Sequence, residues 1–279
     1  MTSTAHGDPG RETAHWLRHV GELEFVLPPI RNQSGNVVVR FGVDAALAVY
    51  PWLSCRPRRD LDAADVGHLL ARLHASCREL PMGLLPQEDF AIPWRTALDR
   101  ALADLDRPWT SGPYAEATRH QLVASQTATR DLLAWYDSLV NEVLDSRAEW
   151  VVTHGEPYGP NLVETDTGKS LLVDWDSALQ APRERDLWEI PEASVALSVY
   201  AAATSQQPEQ RRLRLYRAWY HLAETAIYVH QFRNPHRGDL NDREAWGNLL
   251  TFLPSYSNWP EFTAQTVGRT GEHSLRHAD

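Results

Sequence analysis

Three oxygen-bearing side chains fall within a short stretch of the chain: Glu156, Asn161 five residues later, and Asp174 thirteen residues after that. The local sequence is Thr153-His154-Gly155-Glu156-Pro157-Tyr158-Gly159-Pro160-Asn161-Leu162-Val163, followed after ten more residues by Asp174-Trp175-Asp176. Amide and carboxylate oxygens are hard ligands. They suit magnesium, which takes a few protein oxygens together with substrate phosphates. A carboxylate left over from the metal can orient or deprotonate a hydroxyl. A metal clamp, a base and little covalent chemistry are the parts needed for phosphoryl transfer.

These residues must be brought together by the elements around them. Trp150–Thr153 reads as a short strand that ends at His154. Two prolines, Pro157 and Pro160, then stiffen the loop carrying Glu156 and Asn161. Leu162-Val163-Glu164 and Leu171-Leu172-Val173 flank the turn Thr165-Asp166-Thr167-Gly168. That pattern predicts a hairpin, which returns the chain so that Asp174 sits beside Asn161.

The rest of the chain divides by periodicity. Residues 1–12 are small and polar and are expected to fray. Residues 13–20 read as a short helix ending near Gly21. Phe25–Leu27, Val37–Phe41 and Ala45–Tyr50 read as strands of a small antiparallel meander, with turn residues at 31–36 and at Gly42-Val43-Asp44. Tyr50–Pro57, with two prolines, reads as a fixed connector. Asp62 is placed to cap the next helix, whose apolar stripe is Val66, Leu69, Leu70, Leu73 and Cys77. Further stripes run from Trp94 to Leu105, from Leu132 to Leu144 and from Tyr216 to His230. Helices resume after Pro191, another is expected around Trp246–Leu250 stopping at Pro254, and the tail beyond Phe262 is polar and expected to be loose.

The motif resembles the aminoglycoside phosphotransferase family, the small-molecule branch of the protein-kinase-like fold. The family pattern is His-Gly-Asp, four variable residues, Asn, then a hairpin and an Asp-containing metal motif. Here it stands as His154-Gly155-Glu156, Asn161 and Asp174-Trp175-Asp176. The resemblance runs in outline from Ala14 to about Pro254. It implies a mixed α/β (α+β), two-lobe, kinase-like fold, with a shortened β-rich N-lobe over 1–53 and a mainly helical C-lobe over 54–279. It implies ATP and Mg2+ as cofactors and a small-molecule hydroxyl as acceptor, a cationic antibiotic or metabolite among the family's known classes.

The resemblance also distributes roles. Glu156, where the family has Asp, is the base. Asn161 and Asp174 hold magnesium and nucleotide, and Asp176 is either a second metal contact or a helix cap. Tyr50–Arg56 resembles the hinge between lobes, which makes Tyr50, Trp52 and Leu53 nucleotide contacts. Leu69–Ala75 resembles the helix that follows. His154 supports the loop backbone. Asp186, in Pro182-Arg183-Glu184-Arg185-Asp186-Leu187-Trp188, is expected to brace that loop. Ala218–Arg233 resembles a C-terminal helix near the acceptor, where Glu224 is either a contact for a cationic acceptor or a solvated acid. His230 and His236 sit near a helix end, where cations are favoured.

Composition narrows the field. The formal charge of −10 over 279 residues argues against nonspecific polyanion binding. No basic run, zinc-finger spacing or RNA-binding signature occurs, so no nucleic-acid partner is expected. No apolar run approaches the roughly 18 residues of a membrane span. The opening residues lack a basic-then-apolar leader, and the two cysteines, Cys55 and Cys77, make neither a disulfide framework nor a zinc spacing. A cytoplasmic protein is expected.

One count cuts the other way. Of 27 basic residues, Lys169 is the only lysine and the rest are arginine. Lys169 lies in the hairpin, so the lysine that grips ATP phosphates in kinase-like folds has no counterpart. Arg40 is the available strand cation, and Arg is not interchangeable with Lys. Glu12 is either the remnant of that lysine's glutamate partner or a solvated acid at a helix start. Only about 53 residues lead up to Leu53, against roughly 65 for a full N-lobe. Two readings follow: an ATP-dependent small-molecule phosphotransferase, or a catalytically impaired pseudokinase that binds a ligand.

Overall fold

The computed structural model describes residues 8–42, 45–57, 63–76, 80–81, 83–144, 150–191, 193–255 and 259. The expected cap at Asp62, the Cys77 position, the Val43-Asp44 part of a turn, residues 1–7 and the tail beyond Phe262 lie outside the described residues. The helices are α1 (Pro9–His19), α2 (Ala63–Ala75), α3 (Arg95–Ala103), α4 (Ala115–Leu144), α5 (Val195–Thr204), α6 (Gln210–Arg233) and α7 (Leu240–Ser255). The strands are β1 (Val39–Phe41), β2 (Ala45–Leu47), β3 (Cys55–Pro57), β4 (Val151–Thr153), β5 (Leu162–Thr165), β6 (Ser170–Leu172) and β7 (Leu179–Ala181). The chain forms two compact units, Met1–Asp89 with Arg147–Leu213, and Phe90–Ser146 with Arg214–Asp279.

The first unit carries the small sheets. The expected hairpin is present: β5 and β6 pair antiparallel, with Leu162 opposite Leu172 and Glu164 opposite Ser170. The strand expected before His154 is β4, fully buried, and it pairs with β7 so that Thr153 faces Leu179. Leu162, Leu172, Val152 and Trp175 join Ala14, Leu17, Val26 and Leu73 in one core, which seats the hairpin on α1 and α2. A second core joins Val66 and Leu70 of α2 to Ala196, Leu197 and Tyr200 of α5. Burying each such side chain contributes about 1.5–3 kcal/mol.

Three local expectations are corrected. First, α1 begins at Pro9, so residues 9–12 are helical. Asp8 caps the helix by accepting the amide of Arg11 at 3.1 Å, and Pro9 supplies the preset φ of a first helical position. Second, Phe25–Leu27 does not join the meander. Val26 bridges Leu172 in parallel, with Leu27 N–H donating to Leu172 O at 3.1 Å, so the segment extends the hairpin sheet. Only β1 and β2 pair as expected, Val39 against Leu47. Third, the connector contains a strand: β3 pairs with β5, Cys55 opposite Thr165 and Pro57 opposite Val163. Pro57 is tolerated because it ends the strand.

The second unit is helical. The expected stripe on α4 is buried at Leu132, Leu133, Tyr136, Leu139 and Val143, and the helix starts earlier than the stripe, at Ala115. Tyr114 stacks on Trp246 of α7 with ring centroids 5.6 Å apart. Trp94, expected inside an apolar stripe, instead precedes α3 in a left-handed conformation (φ 59°) and stacks on His230 at 3.7 Å. The helix expected to stop at Pro254 runs to Ser255. Among the described residues, no helix is long and apolar enough to cross a membrane.

Candidate active site

The loop that follows β4 is held from beneath by one buried carboxylate. Asp186 ends a single 3-10 turn, Arg183–Asp186, whose four residues are all buried. Its two oxygens accept the backbone N–H of His154 (2.9 Å) and of Gly155 (2.6 Å). His74 of α2 adds a third contact through Nε2 at 3.2 Å, and His74 Nδ1 meets the Tyr200 hydroxyl at 2.7 Å. Burial pushes the Asp186 carboxyl up, but the hydrogen bond and charge of His74, with Arg185 and His154, outweigh it and hold the group below its usual range. The resulting anion ties the loop to two helices.

His154 is fully buried and works as a spacer. Its Nδ1 accepts the Glu156 N–H at 3.3 Å, which leaves Nε2 to donate to Val173 O at 2.8 Å. Burial lowers its pKa, so the ring is neutral. It thereby links the loop bearing Glu156 to the end of β6, one residue before Asp174. Trp175 packs edge-on against it at 4.8 Å. Gly155 has φ +100°, and a Cβ there would lie 2.6 Å from the Arg185 guanidinium. That guanidinium cannot retreat, because Thr153 Oγ1 (3.0 Å), Ser177 O (2.9 Å) and Glu88 (3.5 Å) hold it.

Asn161 and Asp174 are brought side by side by the backbone. Val173 N–H donates to Asn161 O at 2.9 Å. The Asn161 amide nitrogen donates to Glu156 O at 3.0 Å, so its oxygen is turned away from the loop and makes no hydrogen bond to a described residue. Asp174 has φ +63°, a conformation that costs most residues about 1 kcal/mol or more but which Asp adopts comparatively readily. It presents an exposed carboxylate. Glu156 is also exposed, and its charge, after burial, raises the pKa of Glu189. Glu189 therefore faces the same loop.

Asp176 takes a different partner. Arg11, in the first turn of α1, donates from Nη2 to Asp176 Oδ2 and from Nε to the Tyr50 hydroxyl at 3.2 Å. Burial raises the Tyr50 pKa, Arg11 opposes the shift, and the charges of Asp176 and Asp174 add to it. Tyr50 thus borders the carboxylates. Trp52 is 96% exposed, and Leu53 lines a cavity bounded by α1, residues 24–31 and the hairpin. Glu12 pairs with Arg31 at 2.9 Å. Arg40 is exposed on β1 and Lys169 is exposed at the hairpin. Glu224, on α6 in the second unit, hydrogen-bonds the Tyr228 hydroxyl and helps raise its pKa to about 12, mainly through burial. His236 accepts the Tyr114 N–H at 2.9 Å through Nε2.

Asn161 and Asp174 fit a magnesium ion held mainly by substrate phosphates, which needs only one or two protein carboxylates. A cage of three or more His, Cys, Asp or Glu side chains is not found among the described residues. Four participants had no sequence expectation: Arg11, His74, Arg185 and Glu189. The charged run Arg183-Glu184-Arg185-Asp186, buried whole, was a signal for Arg185. The Asp8-Pro9 helix start was one for Arg11.

The chain belongs to the phosphotransferase enzyme family, whose model matches residues 8–191. It is 30% identical over 259 residues to protein StrN of Streptomyces griseus, covering 88% of this chain and 77% of that one. The fold is similar to spectinomycin phosphotransferase APH(9)-Ia, solved with ADP and spectinomycin: TM-score 0.72, 16% identity, 88% of this chain and 79% of that one. It is also similar to an aminoglycoside phosphotransferase from Alicyclobacillus acidocaldarius: TM-score 0.56, 18% identity, 91% of this chain and 83% of that one. The protein therefore has the mixed α/β, kinase-like fold of small-molecule phosphotransferases.

Proposed function

We propose that this protein transfers the γ-phosphoryl group of ATP to a hydroxyl of a small molecule. The observation that carries this reading is the pinned Asn161. Its amide nitrogen is spent on Glu156 O and its backbone carbonyl on Val173 N–H, which leaves Asn161 Oδ1 without a hydrogen bond to a described residue, on the backbone partner of Val173, the residue before the exposed Asp174. Bound there, magnesium supplies neutralisation of the phosphate charge. Asn161 and Asp174 hold the ion, and the exposed Glu156 orients the acceptor hydroxyl and takes its proton. The acceptor oxygen forms a bond to the γ-phosphorus as the bond to the β,γ-bridging oxygen breaks, and ADP leaves.

Tyr50, Trp52 and Leu53 form the hinge against which the base lies, with the lobe boundary at Leu53. An aminoglycoside-like or other cationic acceptor is supported by the similarity to a spectinomycin phosphotransferase. The activity belongs in the cytoplasm, where ATP is made available.

A second reading, a ligand-binding protein with impaired turnover, is favoured by the Arg11–Asp176 pair, which occupies a carboxylate of the metal motif. Thermal shift with Mg-ATP, repeated on Asp174→Ala, separates these readings when combined with an ADP-release screen over hydroxylated amines. A shift that vanishes in the variant, with ADP released for some acceptor, supports the phosphotransferase. A shift without ADP release supports the second reading. No shift at millimolar Mg-ATP overturns both.

A further inference from the structure

At the C-terminal end of α1 lies a cavity of about 750 Å3. That is the size of small-molecule sites, which range over about 300–1,000 Å3. Its walls are apolar at Val26, Leu27, Ile30, Leu53 and Leu171. Arg18 and Lys169 lie among these residues, and neither side chain hydrogen-bonds to a described residue. Arg18 Nη1 is buried with no partner. Arg18 as a whole is half-buried and its charge acts on Glu24, so this nitrogen lacks a hydrogen-bond acceptor rather than a counter-charge.

The other charged groups of the lining are already committed or balanced. Arg31 donates to Glu12, to Gly35 O and to His15. Glu24 is held by Arg72 at 2.9 Å. Asp166 is the other carboxylate in the lining, and the Arg18 charge also acts on Glu24, but neither the Arg18 nor the Lys169 side chain hydrogen-bonds a described residue. Lys169 is also the chain's sole lysine. Of the residues assigned to the phosphoryl-transfer site, Leu53 at the end of the hinge lines this cavity, whereas Asn161, Asp174, Asp176 and Tyr50 do not. On α1, Arg11, which holds Asp176, is four residues (about 6 Å) from His15 and eight residues (about 12 Å) from His19, both of which line the cavity.

We infer that this cavity is a second ligand site, which meets the proposed nucleotide hinge at Leu53 but shares none of Asn161, Asp174, Asp176 and Tyr50 with the phosphoryl-transfer site, for a small organic anion with an apolar body. The apolar walls take the body, and Arg18 and Lys169 take the carboxylate or phosphate. Charge-assisted hydrogen bonds to such a group are roughly twice as strong as neutral ones. The inference stands whether or not the chain turns over ATP.

Calorimetric titration of the full chain with 2-naphthoate, 2-naphthyl phosphate and the neutral 2-naphthylmethanol tests it. Both anions, or the one whose geometry suits the pair, are expected to bind with Kd below about 1 mM, and the alcohol about tenfold more weakly. The double variant Arg18→Gln, Lys169→Gln is expected to keep its thermal midpoint and lose about tenfold in anion affinity. Saturating Mg-ADP is expected to leave the anion affinity unchanged. Equal binding of alcohol and anions, full binding by the variant, or no binding at about 10 mM overturns the site. Displacement by Mg-ADP also overturns it, by placing the cavity within the nucleotide site. Failure of the phosphotransferase reading shows separately, as loss of the Mg-ATP shift, and leaves the naphthoate result standing.

Discussion

Asp186 Oδ2 accepts the backbone N–H of His154 at 2.9 Å, across 32 residues of chain. The same carboxylate takes Gly155 N–H and faces His74, so its removal strands two buried donors at once. Asp186→Ala is expected to destabilise the fold by about 3–5 kcal/mol. The pH dependence has a defined sign. The folded-state pKa is depressed, so this contribution is fully present above the unfolded value of about 4 and is lost as pH falls through the folded value. Thermal unfolding followed below about pH 4 should fall more steeply for the native chain than for Asp186→Asn. Parallel curves would remove the anion from the brace.

Gly10 gives a prediction in which helix propensity points the wrong way. In a helix, Gly→Ala ordinarily stabilises by about 0.5–1 kcal/mol. Here a Cβ would lie 2.0 Å from Trp175 O and 3.5 Å from Asp176 Cα. The first turn of α1 lies against the metal motif too closely for a methyl group. Gly10→Ala is therefore expected to destabilise by about 1–3 kcal/mol, because α1 can retreat only by pulling Arg11 from Asp176. Denaturant unfolding midpoints decide it, and a stabilised variant would show that α1 is not docked this way.

What the sequence disclosed and what it hid divide along contact separation. The β5–β6 hairpin was legible because its turn, Thr165–Gly168, and its alternation are local. The same holds for the stripe on α4 and for the strand before His154. The Phe25–Leu27 segment was read as a strand but assigned the wrong neighbour: its partner Leu172 is far along the chain, and nothing in a local pattern specifies it. Strand β3 was missed for the same reason, with Pro57 adding a contrary signal. In the site, Glu156, Asn161, Asp174 and Asp186 could be named from spacing and resemblance. Arg11 reaches Asp176 over 165 residues and His74 reaches Asp186 over 112, and both are single polar side chains in segments read for other features.

Asp174 and Asp176 are two residues apart and should not behave alike. Asp174 is free of ion pairs to described residues and sits beside Asn161. Asp176 is shared with Arg11 and approaches a metal only by giving up that pair. Asp174→Asn is expected to abolish the Mg-ATP thermal shift, whereas Asp176→Asn costs it about threefold or less in apparent affinity. A double-mutant cycle over Arg11→Met and Asp176→Asn should give a coupling of about 0.5–1 kcal/mol, modest because Asp176 is half-exposed. Loss of the shift in both aspartate variants would make Asp176 a ligand in its own right.

Glu156 tests whether the loop is built for the residue it carries. Where the family pattern has Asp, this chain places a carboxylate one methylene further from the backbone, and the backbone beneath it is fixed by His154 Nδ1 and Asn161. If the loop has adjusted to that length, Glu156→Asp withdraws the carboxylate by about 1.5 Å and should cost around 10²-fold in kcat, despite restoring the family's residue. Glu156→Gln, which keeps the length and loses the base, should cost about 10²–10⁴-fold. Neither change touches Asn161 or Asp174, so the Mg-ATP shift should persist in both. ADP release with the acceptor found by screening, measured beside the thermal shift, separates the outcomes. Full activity in Glu156→Gln would remove this side chain from the chemistry. Raised activity in Glu156→Asp would show a loop still shaped for aspartate.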